Sequence, residues 1–323
     1  MFLRIAVIFV FVIFGCNSKK DSQIQIVDRA SFVPKFSSDS AYYFIEKQVQ
    51  FGPRYTGSEG WRECSFFLEE RLNQYADTVL VQRARITTYD QKEHLIKNFI
   101  ASFSPEKKNR IVFFAHWDTR PVADHDIANK EDPILGANDG GSGVGLLLEM
   151  ARIFKIRKPK IGIDIIFFDA EDYGQPENSK FPLMEDSWCL GSQYWAKNLH
   201  KANYSARYGI LVDMVAGDKA TFYQEGVSVF YASDVLDKVW KTGHRLGYAD
   251  YFIYEKSPEI IDDHYYVNKL TDIPTIDVIE FDPNTKNHFN KHWHTHKDNM
   301  DNINKNTLKA VGNTLLHVAY NGY

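Results

Sequence analysis

Three apolar runs, each stopping on titratable side chains, set the narrowest limit on how this chain can fold. Ile111-Val112-Phe113-Phe114-Ala115 runs into His116-Trp117-Asp118, Ile161 to Phe168 into Asp169-Ala170-Glu171-Asp172, and Tyr208 to Val212 into Asp213. A strand that is apolar on both of its alternating faces must be covered on both, which calls for a sheet buried between helix layers. Helical patterns over Gly143–Phe154, Gly191–Asn198, Asp234–Leu246 and Asn306–Tyr320, with a further strand over Thr275–Ile279, supply the α/β rhythm. Ahead of them, Ser38-Asp39-Ser40 caps a helix that carries Tyr42, Tyr43, Ile45 and Val49 on one face and stops at Phe51-Gly52-Pro53. A second helix is predicted from Trp61 to Tyr75, then a hairpin or neighbouring strands over Thr78–Tyr89 and Leu95–Phe103. The fold class is α/β. With 323 residues, 44% of them apolar, and no Pro/Gly/Ser-rich or charge-run linker, one globular domain is expected. A formal charge of -4 with scattered Lys and Arg gives no footprint for a phosphate backbone, so nucleic acid is not an expected partner.

The N-terminus carries an address. Arg4 precedes ten apolar residues, Ile5 to Phe14, half of the roughly 20 needed to span a bilayer, which is the pattern of a secretory signal. Gly15-Cys16-Asn17-Ser18-Lys19-Lys20 then resembles a bacterial lipobox, in which Cys16 becomes the lipid-modified first residue; an ordinary signal peptide containing a cysteine is the alternative. The expected organisation is a signal peptide over residues 1–16, a polar tether over 17–36 and a catalytic domain over 37–323. The protein would be exported and lipid-anchored in the bacterial cell envelope, facing the periplasm, with the anchor as its only membrane contact. Cys64 and Cys189 either pair in that oxidising compartment or remain two buried thiols.

In a mostly parallel sheet the carboxyl ends of the strands share one edge, where open α/β folds bind their ligands. His116, Glu171, Asp172 and Asp213 would therefore meet there, joined by Asp139 from Gly136-Ala137-Asn138-Asp139-Gly140-Gly141 and by His294 from Trp293-His294-Thr295. Gathering these carboxylates without a cation places like charges side by side, and nitrogen and oxygen donors in that number suit zinc. Taken singly, each has a plainer role. A strand-end carboxylate is ordinarily a turn former or cap, Glu171-Asp172 can be a solvated pair, and His288, His292 and His296 compete with His294.

The strings FFAHWDTRPVADHD, LGANDGGSGVGLLLEMAR, IIFFDAEDYG, CLGSQYWA, ILVDMVAG and WHTHKDNMDNI, in this order, resemble the clan of zinc aminopeptidases and glutaminyl cyclases, over about residues 40–320. Within it the chain is most similar to bacterial glutaminyl cyclases of the animal type. The resemblance implies one domain with a central mixed, mostly parallel sheet flanked by helices, and one zinc ion on Asp139, Asp172 and His294. Asp172 stands where animal cyclases usually have glutamate, so its loop would lie nearer the metal. Glu171 takes the place of the catalytic acid/base. Asp213, Asp262 and Asp277 match a network beside the metal, and Asp277 replaces a histidine, which would make that network all carboxylate. Trp293 falls on an aromatic pocket wall, with Ile260 and Phe281 as further pocket residues. Glu225 and the acidic loop Asp124 to Asp132 are expected at the pocket mouth.

The resemblance implies a glutaminyl-peptide cyclotransferase that converts the N-terminal glutamine of a peptide or protein to pyroglutamate with loss of ammonia. An aminopeptidase with two zinc ions, completed by His116 and Asp213, uses nearly the same ligands and is the alternative. A metal-free binding module is a third reading, disfavoured by the intact ligand set.

Overall fold

The computed structural model describes residues 32–321. The signal peptide, Cys16 and the tether as far as residue 31 lie outside the described residues. Phe36, assigned to the tether from sequence, is buried over Gly312, and its amide donates to Asn313 Oδ1 at 3.4 Å, so the packed domain begins ahead of residue 37.

Two helices lead the domain, α1 (Ser38–Gln50) and α2 (Glu59–Tyr75). Each is capped by the serine before it: Ser37 accepts from the Ser40 amide and Ser58 from the Trp61 amide, supplying acceptors to first-turn donors the helix leaves open. Strands β1 (Thr78–Thr87) and β2 (Glu93–Phe103) form the expected hairpin, and then strands and helices alternate except for two successive strands in the middle of the chain. These are β3 (Arg110–His116), α3 (Gly141–Ile156), β4 (Gly162–Phe168), α4 (Leu190–Lys197), β5 (Gly209–Asp213), β6 (Phe222–Gln224), α5 (Gly226–Arg245), β7 (Phe252–Lys256), α6 (Asp263–Leu270), β8 (Thr275–Ile279) and α7 (Lys305–Asn321). The main sheet runs β1-β2-β4-β3-β5-β8, antiparallel through the first three and parallel from β4 to β8. The expected α/β domain with a mixed, mostly parallel sheet is the observed one.

The strand sequences are apolar without interruption because each face has its own core. Along β3, Ile111, Phe113 and Ala115 belong to a core shared with residues of α1, α2, α3, α5 and α7, while Val112 and Phe114 belong to a second core with Trp195 of α4 and Val267 of α6. Three elements have no counterpart in the sequence reading: β6, β7 and α6. In addition, α5 begins eight residues before the predicted Asp234. Its Gly226-Val227-Ser228-Val229 start is poor in helix formers, but the Glu225 side chain accepts from the Val227 and Ser228 amides and holds the first turn. Cys64 and Cys189 are both free and buried, which rules against a bond between them. Among the described residues no helix is long and apolar enough to cross a membrane.

Asp164 is the one charge inside the buried β4 run. Arg110, at the start of neighbouring β3, meets it with two bonds, Nε to Oδ2 at 2.6 Å and Nη2 to Oδ1 at 3.0 Å, and Tyr204 donates its hydroxyl at 2.6 Å. Asp164→Ala would leave the Arg110 guanidinium buried and unpaired. It is expected to cost about 3–5 kcal/mol, read as a lowered urea midpoint, and an unchanged midpoint would contradict this account of the pair.

Candidate active site

The parallel strands end together. His116 closes β3 in register with Phe168 of β4, and Asp213 closes β5 in register with Ile279 of β8. The chain then turns sharply through conformations that side chains seldom adopt. Ala170 (φ 53°), just before Glu171, Met214 (φ 48°), just after Asp213, and His294 itself (φ 55°) are all left-handed without being glycine. Strain of this kind persists only where surrounding structure over-determines it, and here it aims three site side chains inward. Asp139 comes from the turn before α3, whose Gly140 has φ 79° and lies where a Cβ would meet the Asp118 carbonyl oxygen at 2.5 Å.

Asp139, Asp172 and His294 converge as three buried donors. His294 Nε2 is 3.1 Å from Asp172 Oδ1 and 3.6 Å from Asp139 Oδ2, and the three donor atoms lie within 4.8 Å of one another. Asp139 Oδ2 and Asp172 Oδ2 are buried with no hydrogen-bond partner. Without a cation, burial and the Asp172 charge push the Asp139 carboxyl up to about 8. Two carboxylates and an imidazole with these orphaned oxygens fit a zinc ion that neutralises them. Of the four neighbouring histidines, only His294 joins such a donor group among the described residues; His296 pairs with Asp126 at 2.9 Å and His288 stacks on Phe281. A second donor group shares Asp139: His116 Nε2 is 3.1 Å from both Asp139 Oδ1 and Asp213 Oδ1.

Glu171 stands beside this centre, 9% exposed. Burial first, then the nearby carboxylates of Asp262, Asp172 and Asp263, hold it well above the ordinary carboxylate range, against the opposing pull of His116. The Cys189 thiol donates to its Oε1 at 3.3 Å.

Residues 98–319 match peptidase family M28, more than half of the chain. The chain belongs to peptidase family M28. Among solved structures this M28 chain is similar to a Zn-dependent exopeptidase of Parabacteroides distasonis (49% identity, TM-score 0.88, covering 90% of this chain and 100% of that one). It is equally similar to glutaminyl cyclases of Tannerella forsythia (50% identity, TM-score 0.87, 89% and 99% covered) and Bacteroides thetaiotaomicron (49% identity, TM-score 0.87, 90% and 99% covered), the latter bound to N-acetylhistamine. The match spans only about a third or less of the length of the curated relatives, 28% of a probable zinc metalloprotease of Pyricularia oryzae at 29% identity over 147 residues.

Two aspartates that sequence reasoning passed over build the M28 site from behind. Asp118 accepts from the amides of Glu171 and Asp172, each at 3.1 Å, and Asp298 accepts from those of Asn138 and Asp139 at 2.7 and 3.0 Å. Each fixes the backbone that carries a donor. Their only sequence signal is their place in His116-Trp117-Asp118 and His296-Lys297-Asp298, beside residues already singled out. The loop from Asp124 to Asp132 does not line the main cavity as expected. Asp124 sits instead behind His294, 3.3 Å from its Nδ1 and held by two Arg120 bonds at 2.6 and 2.8 Å. A carboxylate on the far ring nitrogen fixes the imidazole so that Nε2 faces inward.

The network beside Asp213 is not all carboxylate, as expected from Asp277. Helix α6 inserts His264, whose Nδ1 is 3.7 Å from Asp277 Oδ2, and Asp262, His264 and Asp277 form one buried group. Asp262 reaches the main cavity; Asp277 lies behind it and does not. Glu225 is fully buried, not at the pocket mouth. It accepts from Val227, Ser228, Ile260 and His264, because the α5 N-terminus needs an acceptor there. Burial alone would raise Glu225, but His264 and the two helix amides bring it down from 4.5 to about 2. A depressed carboxylate stabilises the fold above its unfolded value, and that contribution fades as pH falls from about 4.5 towards about 2. The urea midpoint of the wild type should therefore exceed that of Glu225→Gln by its full margin near neutral pH, with the gap closing below about pH 4. A gap constant with pH would refute it.

The site opens into one cavity of about 900 Å³. Asp139, Glu171, Asp172, Asp213 and His294 line it, together with Trp293, Ile260 and Phe281. The Trp293 ring stacks on His294 with centroids 3.7 Å apart.

Proposed function

We propose that this protein is a zinc-dependent glutaminyl-peptide cyclotransferase, closing the N-terminal glutamine of a peptide or protein to pyroglutamate with release of ammonia. The similarity of 89% and 90% of the chain to the Tannerella forsythia and Bacteroides thetaiotaomicron glutaminyl cyclases carries this reading. Zinc on Asp139, Asp172 and His294 would supply a Lewis acid for the side-chain amide carbonyl. Glu171 takes the proton of the α-amine as its nitrogen bonds to the amide carbon, and gives it to the departing nitrogen as the carbon–nitrogen bond breaks. No external nucleophile is needed, so holding amine and amide in contact accounts for much of the rate. The rings of Trp293 and Phe281 and the Ile260 side chain keep water from competing. The amine must be neutral to attack, so kcat/KM falls as pH drops below its ordinary value of about 7.7–8.0.

A two-zinc aminopeptidase is the second reading. It is favoured by the donor group of His116, Asp139 and Asp213, which shares Asp139 with the first, and by the similarity to the Parabacteroides distasonis exopeptidase. Zinc per chain, ammonia from a Gln-Ala dipeptide and amine from a leucine anilide separate the two. One zinc with ammonia and no anilide cleavage sustains the cyclotransferase; two zincs with anilide cleavage replace it. The N-terminal pattern supports export and a lipid anchor at Cys16 in the bacterial cell envelope. Cys16→Ser is expected to move the protein out of the membrane fraction or block its maturation, and unchanged fractionation removes the anchor.

A further inference from the structure

Glu280 follows the last residue of β8 and is buried, 4% exposed, without lining the main cavity. Its two oxygens accept from two asparagines: Asn138 Nδ2 donates to Oε2 at 3.1 Å and Asn290 Nδ2 to Oε1 at 2.8 Å. Neither asparagine is free to turn round. Asn138 Oδ1 accepts from the Ala216 amide and Asn290 Oδ1 from the His292 amide, each at 2.9 Å, and a backbone N–H can only donate. Both side-chain nitrogens are therefore committed to Glu280, and only a group with an acceptor at each tip and no donor satisfies them both. An ionised carboxylate is such a group; glutamine, its isostere, would set one N–H against another. The fit is close, since a Cβ on Gly217 would strike Glu280 Oε2. Burial pushes the Glu280 carboxyl up from 4.5 to about 7 against the pull of the two asparagines, and the Asp298 and Asp282 charges add to the rise. Each asparagine leads to a metal donor. Asn138 directly precedes Asp139, and His292, whose amide Asn290 holds, is two residues before His294.

We propose that Glu280 is a positioning residue of the metal centre: by accepting from Asn138 and Asn290 at once, it holds the Asp139 turn and the His294 loop at the spacing that lets both donors reach one zinc ion. The inference rests on zinc occupying Asp139, Asp172 and His294, and is independent of which reaction follows. Glu280 acts through the two asparagines and touches neither the donors' convergent atoms nor the cavity. Its counterpart on the imidazole side is Asp124, which orients His294 from behind, whereas Glu280 sets the distance between two separate pieces of backbone.

Zinc affinity tests this without any turnover. The full chain is compared as wild type, as Glu280→Gln and as the double variant Glu280→Gln with Asn290→Asp, each competed for zinc against a chromophoric chelator at about pH 8.5, above the value of about 7 for Glu280. The double variant passes the carboxylate across the bond: position 280 then donates, and position 290 accepts from it while still accepting from the His292 amide. Glu280→Gln should bind zinc about 10- to 100-fold more weakly, the loss typical of a partner one step behind a metal, and should alter the visible absorption of the cobalt-substituted protein. The double variant should return to within about 3-fold of the wild type. Zinc affinity and cobalt spectrum unchanged in Glu280→Gln, with only the urea midpoint of the metal-free chain lowered, would make Glu280 a plain stabilising group and overturn the proposal. A double variant no better than the single one overturns it as well, and if Glu280→Gln does not fold, the double variant decides by the same measure. A wild type that takes up no zinc overturns it together with the metal reading, and the wild-type arm alone shows that failure.

Discussion

Glu171→Gln should lower kcat for ammonia release from Gln-Ala by about 10²- to 10⁴-fold while zinc content and the circular dichroism spectrum stay near those of the wild type. Glutamine keeps the volume and one acceptor but cannot take the amine's proton. The side chain is not among the three convergent donors, and the backbone on which it stands remains bonded to Asp118. Only the proton transfer is removed, so the loss should appear in kcat more than in KM. Zinc lost together with activity would make Glu171 a ligand instead of the acid/base.

His294→Ala should empty the centre. It removes the only imidazole of the Asp139, Asp172 and His294 group and leaves two carboxylates close together in a buried place. Zinc measured by elemental analysis after dialysis should fall well below one per chain. The affinity loss should exceed the roughly 10- to 100-fold typical for removing a partner one step behind the metal, such as Asp124 here. Activity should fall with the metal and not return on adding zinc at micromolar levels. A variant that kept both metal and turnover would show that another residue had been passed over as the ligand.

Much of this was legible in local pattern. The apolar runs of β3, β4 and β5 require a sheet covered on both faces, and the observed split of Phe113 and Phe114 between two cores is the reason for that pattern. Where each run stops, the next polar residues face the same edge, so Glu171, Asp172 and Asp213 could be named as neighbours before any coordinate was known. The misses share one cause. Glu225, the α5 start and His264 depend on one another across 39 residues, and the Asp298 clamp on Asn138 reaches across 160. Neither pairing leaves a periodicity in the sequence. Asp124 illustrates the same limit: its acidic loop reads as part of the pocket mouth, and only the approach of Arg120 and His294 makes its carboxylate a support for the centre.

The sequence by itself determined the layered α/β architecture and the edge on which its chemistry gathers, because strand periodicity and the polarity at strand ends are properties of a few consecutive residues. Family resemblance narrowed four histidines to His294. Which carboxylates meet a ring nitrogen, which cap a helix and which line the cavity was decided only by the tertiary structure. Those roles depend on what each oxygen is brought against, and buried carboxylates of identical chemistry differ in nothing else.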